Sequence, residues 1–316
     1  MSDLSTKIND KFAVISCDSK KTAAGDDYQY VQLSTQAGLI GARVWPEALP
    51  SVHLIPSKVF HITGILDNYQ QEKIINIKSA KLITDEDIEP YLVAVPTLVF
   101  DIETVGKSLT FLDKTDKDYF INNLEKDFKG TKRQLHGRTG LYPMYGSVLT
   151  IGLYNPNSNQ GKVLYLSPEK ATIEVENFTS QAYSTESEMI SDFWDIASQY
   201  QRFVTYNGSG FDFPFLTFRS AVNRIKVPFQ THGSDDKFVD LSYKFRLNNR
   251  PFKLETICKA LDISNPKLPG ISGMEVSKLF HQGKLDEIVK YVSRDVIATA
   301  ELYEVWRKYL AGKLFI

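Results

Sequence analysis

Over the first ninety residues, apolar and polar positions come in short, partly alternating runs. FAVISC (12–17), YQYVQLS (28–34), GLIGARVW (38–45), KVFHITGIL (58–66) and EKIINIKSAKLI (72–83) are rich in β-branched and aromatic residues and predict five strands. Gly25-Asp26-Asp27, Gly38, Pro46, Pro50 and Asp67-Asn68 supply turn chemistry between them. Five strands in so short a span suit a small closed barrel, because closure removes exposed edges. A period of two turns Val31, Leu33, Ile40, Ala42 and Val44 inward and Tyr28, Tyr30, Gln32, Leu39, Arg43 and Trp45 outward. The acidic stretch Asp85-Glu86-Asp87, ending near Pro90, marks a boundary, so domains over 1–90 and 91–316 are expected.

Beyond that boundary the pattern changes. PTLVFDIE (96–103) reads as a buried strand ending in acids, followed by strands GSVLTIGLY (146–154) and GKVLYLS (161–167). A helix over 187–200 leads into the strand FVTY (203–206). A second helix from Phe211 has Phe215, Leu216, Phe218 and Val222 as its apolar face. KFVDLS (237–242) reads as a further strand, and a long helix runs from about 284 to 310 with Val289, Val292 and Val296 as its buried stripe. Three strands followed by alternating helices and strands is the order of an RNase H-like α/β domain, a mixed sheet flanked by helices. An insertion over 104–145 separates the first two strands, and connections of that length are more often functional than incidental. Its Lys129, Lys132, Arg133, His136 and Arg138 either border a substrate channel or form a solvated loop.

Composition narrows the class. The 316 residues are 42% hydrophobic, enough for packed cores in about two domains. Lys and Arg number 37 against 38 Asp and Glu, which excludes a binder that holds nucleic acid by bulk charge. Cys17 and Cys258 make neither a disulfide framework nor a zinc quartet. The N-terminus has no apolar signal core, and the most apolar run, Tyr91 to Phe100, is broken by Pro96 and too short for a bilayer. A cytoplasmic protein is expected.

Four acids stand out by position. Asp101 and Glu103 leave the same face of a strand whose preceding LVF is apolar, an electrostatically costly placement unless a cation compensates. Asp212 follows the turn Asn207-Gly208-Ser209-Gly210 and opens a helix, where it would also favour the helix dipole. The glycines there are not a dinucleotide fingerprint, since Phe213 stands at the third glycine position. Asp295 shares a helical face with Tyr291, four residues earlier, and is otherwise read as a solvated helix position. Carboxylates in this number, with no His/Cys cluster, suit Mg²⁺ or Mn²⁺.

LVFDIETVG, YNGSGFDFPFL and YVSRD, in that order, with FKLETICKALDI and the PGISG loop, resemble the DEDD superfamily of 3′–5′ exonucleases. Lys290 occupies the position that is histidine in one branch, whereas Tyr291 matches the DEDDy branch. The likeness is to exonucleases related to the proofreading domain of family B DNA polymerases, over roughly 96–310. It implies two divalent cations, with Asp101 bridging both, Glu103 and Asp295 completing the first and Asp212 holding the second. It also implies that Tyr291 orients the attacking water and that Asn207 and Phe211 contact the terminal nucleotide; for Asn207 and Phe211, turn formation and core packing are equally good readings. The N-terminal strands resemble an OB-fold, whose outer Tyr28, Tyr30, Arg43 and Trp45 would stack single-stranded bases, helped by Lys20 and Lys21. Alternatively, Trp45 and Tyr30 pack on the second domain. Nine basic against twelve acidic residues in 1–90 speak against a strong electrostatic binder. The expectation is a metal-dependent 3′–5′ exonuclease acting on single-stranded ends, DNA ahead of RNA. Its rivals are an end-binding protein that does not cut and an RNA-turnover enzyme.

Overall fold

The computed structural model describes residues 6–35, 38–69, 72–92, 94–169, 172–234, 237–263 and 273–311. Two compact units divide the chain, the first within 1–94 and the second over Val95–Leu310.

In the first unit, β1 (Thr6–Lys21), β2 (Asp27–Thr35), β3 (Gly38–Val44), β4 (Lys58–Tyr69) and β5 (Glu72–Ile83) close on themselves in the order β1-β2-β3-β5-β4. β1 outruns the FAVISC segment because it serves two neighbours: its first half pairs with β4 and its second half with β2. The parallel pairing of β3 with β5 completes the ring. Alternation works as expected on β2 and β3, where Val31, Leu33, Ala42 and Val44 are buried with Phe12, Phe60, Ile62 and Ile75. Ile40 is only partly buried against that core.

The second unit is a six-stranded sheet in the order β11-β10-β6-β7-β8-β9. Its strands are β6 (Thr97–Gly106), β7 (Gly146–Asn155), β8 (Gln160–Leu166), β9 (Phe178–Tyr183), β10 (Arg202–Thr205) and β11 (Phe238–Asp240). Its helices are α1 (Lys114–Tyr119), α2 (Lys132–Gly137), α3 (Glu186–Ala197), α4 (Asp212–Val222), α5 (Leu241–Lys244), α6 (Leu254–Ala260), α7 (Gly273–His281) and α8 (Leu285–Tyr309). Leu98, Phe100 and Ile102 of β6 pack with α3 and α4 on one face. Val163 and Tyr165 of β8 pack with Val289 and Val292 of α8 on the other. The period of two along β6 therefore sends Asp101 and Glu103 to the face that α8 covers.

Four features differ from the sequence reading. β9 has weak alternation in FTSQAY and is held by parallel pairing with β8. The segment 237–242 is a strand only to Asp240, whose side chain accepts from the Ser242 amide and caps α5. The buried face of α4 is Phe213, Phe215, Leu216 and Ser220, while Phe218 and Val222 are exposed. That face is centred where the Trp194 indole N–H donates to Ser220 (2.8 Å), and Phe218 and Val222, one turn apart, share the outer side. In the insertion, Arg138 is held by the buried Glu125, to which Tyr142 also donates (2.9 Å), and it lies over the Phe128 ring. Arg138 thus belongs to the insertion's own packing. The side chains of Lys132, Arg133 and His136, and residues 269–272 of the PGISG loop, lie outside the described residues. No helix among the described residues is long and apolar enough to cross a membrane.

α8 approaches the sheet closely because of Gly152, which lies opposite Asp101 in the β6–β7 register. A Cβ there would meet Val292 Cγ2 at 2.9 Å, the Val292 carbonyl oxygen at 3.0 Å and Val296 Cγ1 at 3.1 Å. Gly152→Ala is expected to lift α8 and to destabilise the fold by about 1–3 kcal/mol, as overpacking does. Urea unfolding measures this, and an unchanged midpoint would show that the helix yields freely.

Candidate active site

Strand pairing, a turn and a helix assemble the acids. β6 lies between β7 and β10: β10 pairs with its first residues, Thr97–Val99, and β7 pairs along the part that carries Asp101 and Glu103. α8 brings Asp295 above them. One carboxylate oxygen from each of Asp101, Glu103 and Asp295 lies within 4.8 Å of the others. Glu103 is buried and the other two are half-buried.

Asp212 adjoins this group without joining it. It is buried, and its Oδ1 accepts the Ile102 backbone N–H at 2.9 Å, from the residue between the two β6 acids. Its place at the start of α4 depends on the preceding turn. Asn207 takes a positive φ of 68°, which asparagine tolerates better than most residues. Gly208 is required because a Cβ would fall 2.5 Å from the Thr205 side chain. Asp240 then fixes the turn: its Oδ1 accepts from the Asn207 amide (2.8 Å) and its Oδ2 from the Ser209 amide (2.9 Å). Asp240 is buried and has no place among the residues singled out from sequence. The signal available was an Asp two positions before Ser242, a helix-cap pattern inside what reads as a strand.

The electrostatics follow from this crowding. Burial first, then the neighbouring acids, holds the Asp101 and Glu103 carboxyls well above the usual range. Burial pushes Asp212 up to about 7, against the lowering effect of its backbone hydrogen bonds. Burial, with Asp295, Glu103 and Asp101 nearby, also raises Tyr291, whose hydroxyl is hydrogen-bonded to Asp295. Its phenol is therefore a proton-holding group at neutral pH and not a base. An oxygen-only set of carboxylates that disfavours its own ionisation fits a hard divalent cation, and Asp101, Glu103 and Asp295 are the residues that could hold one.

A cavity of about 460 Å³ opens beside these groups, lined by Tyr291, Asp295, Asn207, Tyr206, Phe252 and Lys253 among others. The Tyr206 hydroxyl donates to the Phe252 carbonyl (2.5 Å), tying the end of β10 to the segment before α6. Asn207 thus reaches the cavity, while Phe211 packs on Phe215 and the α4 core. Behind the wall, burial pushes the Cys258 thiol up to about 11, so it acts as a small apolar side chain.

A second group of residues gathers on the outer face of the barrel. Tyr28 stacks on Trp45 (centroids 5.3 Å apart), Arg43 lies over Trp45 (5.4 Å) and Lys20 over Tyr30 (4.4 Å). Trp45 Nε1 donates to Asn76 Oδ1 at 2.8 Å. Lys21 pairs instead with Asp27.

The chain is similar in part to known proteins. Residues 162–314 match a family described as a predicted 3′-5′ exonuclease related to the exonuclease domain of PolB. The "DNA polymerase 1" of Sulfurisphaera ohwakuensis is 28% identical over 174 residues, covering 51% of this chain and 20% of that protein. Its namesake in Saccharolobus solfataricus is 27% identical over 157 residues, covering 45% and 18%. The chain therefore spans about a fifth of the length of these curated relatives. The family B DNA polymerase of Pyrobaculum calidifontis aligns with 94% of this chain and 46% of its own at 11% identity, with a TM-score of 0.46. The mixed sheet with flanking helices, the acidic cluster and the matched family together support an exonuclease domain of the PolB-related kind.

Proposed function

We propose that the chain is a metal-dependent 3′–5′ exonuclease of the DEDDy type, hydrolysing phosphodiester bonds at single-stranded 3′ ends. The observation that carries this reading is the convergence of Asp101, Glu103 and Asp295 beside a cavity that Tyr291 and Asn207 also line. DNA is the favoured substrate, in keeping with the name shared by the two archaeal relatives. Asp101, Glu103 and Asp295 would hold one Mg²⁺ or Mn²⁺ ion, and Asp212, with Asp101, a second. Such ions supply the positive charge that stabilises the attacking and leaving oxygens of an in-line displacement. The protonated Tyr291 hydroxyl orients the nucleophilic water, and Asn207 holds the terminal nucleotide in the cavity. Lys253, exposed on the rim, faces an anionic substrate.

The barrel, read as an OB-fold, would supply a second contact. Tyr28 and Tyr30 stand on β2, Arg43 on β3 and Trp45 just past its end, with Tyr30 opposite Arg43. This arrangement offers ring and guanidinium faces to unpaired bases and depends little on net charge.

Incubation of 5′-labelled single-stranded DNA with Mg²⁺ or Mn²⁺ should give a ladder shortening from the 3′ end. Asp101→Ala is expected to lower the rate on the order of 10²–10³-fold or more, and equal activity of the variant and wild type would sink the site. Tyr291→Phe should lose about 10²-fold in rate with Mn²⁺ binding retained. For the barrel, Trp45→Ala should weaken binding of a single-stranded oligonucleotide by roughly tenfold, measured by fluorescence anisotropy. An unchanged affinity would remove the platform from the function.

A stability test is independent of turnover. The folded-state pKa of Asp212 is raised to about 7, so its contribution is full below roughly pH 4, the unfolded value, and is lost as pH rises through about 7. In EDTA, Asp212→Asn should melt above wild type by on the order of 5 °C at about pH 8 and by less at about pH 5.5. An advantage that does not grow with pH would show that the carboxyl is not strained by its surroundings.

A further inference from the structure

Thr150 lies directly opposite Glu103 in the antiparallel β6–β7 register, so the two side chains share the face that α8 covers. Two residues further on, Gly152 of the same face meets Val292 and Val296 of α8. The register skips Leu149 between the Glu103–Thr150 and Thr104–Val148 pairs, a β-bulge that brings Leu149 into the cluster of Ile288 and Tyr291. Thr150 is fully buried in this position, and its hydroxyl finds no hydrogen-bond partner among the described residues.

A buried, unpaired hydroxyl is unfavourable, and valine would fill the same space with the same branching. The hydroxyl's two cross-strand neighbours are Glu103 and Tyr165, and the Tyr165 oxygen already accepts the Ile173 amide at 3.0 Å. Directly opposed side chains start from Cβ atoms about 4.5–5.5 Å apart. A rotation of the Glu103 side chain therefore brings a carboxylate oxygen within reach of the threonine. Glu103 must present one oxygen to a cation and satisfy the other in a buried setting, and no other donor hydroxyl stands opposite it on β7.

We propose that Thr150 is a positioning residue, its hydroxyl donating to the Glu103 carboxylate and fixing that carboxylate's orientation when it serves as a cation ligand. The proposal rests on the metal-site reading given above. It assigns a role to a β7 residue outside the four acids and the tyrosine. Such outer partners of ligands are commonly worth 10–100-fold in metal affinity.

The test is Mn²⁺ binding to the full chain, read from the EPR signal of free Mn²⁺, with thermal melting in EDTA alongside. Thr150→Val should bind Mn²⁺ about tenfold more weakly while melting at or above the wild-type temperature. Thr150→Ser, which keeps the hydroxyl, should bind like wild type. If the valine variant does not fold, Thr150→Ala against Thr150→Ser carries the same comparison. Equal Mn²⁺ affinity in wild type and the variants lacking the hydroxyl would overturn the proposal and leave the metal site standing. Equal losses in the serine variant and the variants lacking the hydroxyl, accompanied by lower melting temperatures, would overturn it in favour of packing. Absence of Mn²⁺ binding by wild type would overturn the metal site itself.

Discussion

Everything in the second unit is arranged around the mutual repulsion of carboxylates in a poorly hydrated place. Oxygens of Asp101, Glu103 and Asp295 within 4.8 Å of one another repel, when ionised, by about 3 kcal/mol per pair or more at an effective dielectric of about 20. Left to itself this repulsion would push α8 away from β6. The fold resists it with a sheet paired on both sides of β6 and with a helix seated against Gly152 and held by the apolar contacts of Val289 and Val292. Strain of this kind is useful where a cation is to be bound, because the ion removes the cause of the repulsion.

The supports of the site are largely backbone groups. Asp212 is held by the Ile102 amide, and the turn that delivers it is held by Asp240 through the amides of Asn207 and Ser209. These bonds run from β11 through the turn and α4 to β6, so one hydrogen-bonded path joins three parts of the sheet. Backbone donors keep their positions when side chains vary, so the placement of Asp212 depends on few side chains, chiefly that of Asp240, and on the absence of one at Gly208.

The legible part of the fold was what alternation and position encode. The two β6 acids leave one face because the strand period is two, and the apolar run before them already marks the placement as costly. The barrel strands and the outward Tyr28, Tyr30, Arg43 and Trp45 follow from the same period. Asp240 was hidden because a buried cap inside a three-residue strand looks like part of the strand. The cavity wall over 251–255 was hidden because it is made by loop backbone and by residues distant in sequence. Thr150 and Gly152 carried no sequence signal, since their importance lies in what stands across the sheet and above it. The outward turn of Phe218 reflects packing that helix periodicity alone does not specify.

Asp101 and Asp295 lie nearly two hundred residues apart, and α8 is the last of the eight α-helices among the described residues. Contacts of such long sequence separation carry a large loop-closure cost, and they need both ends of the segment to have been made. During synthesis the strand carrying two acids, and the turn carrying the third, therefore exist for some time without the fourth. The acidic centre is complete only when α8 has emerged and docked. Until then the strand acids stand without the carboxylate that closes their cluster, and without the repulsion it brings.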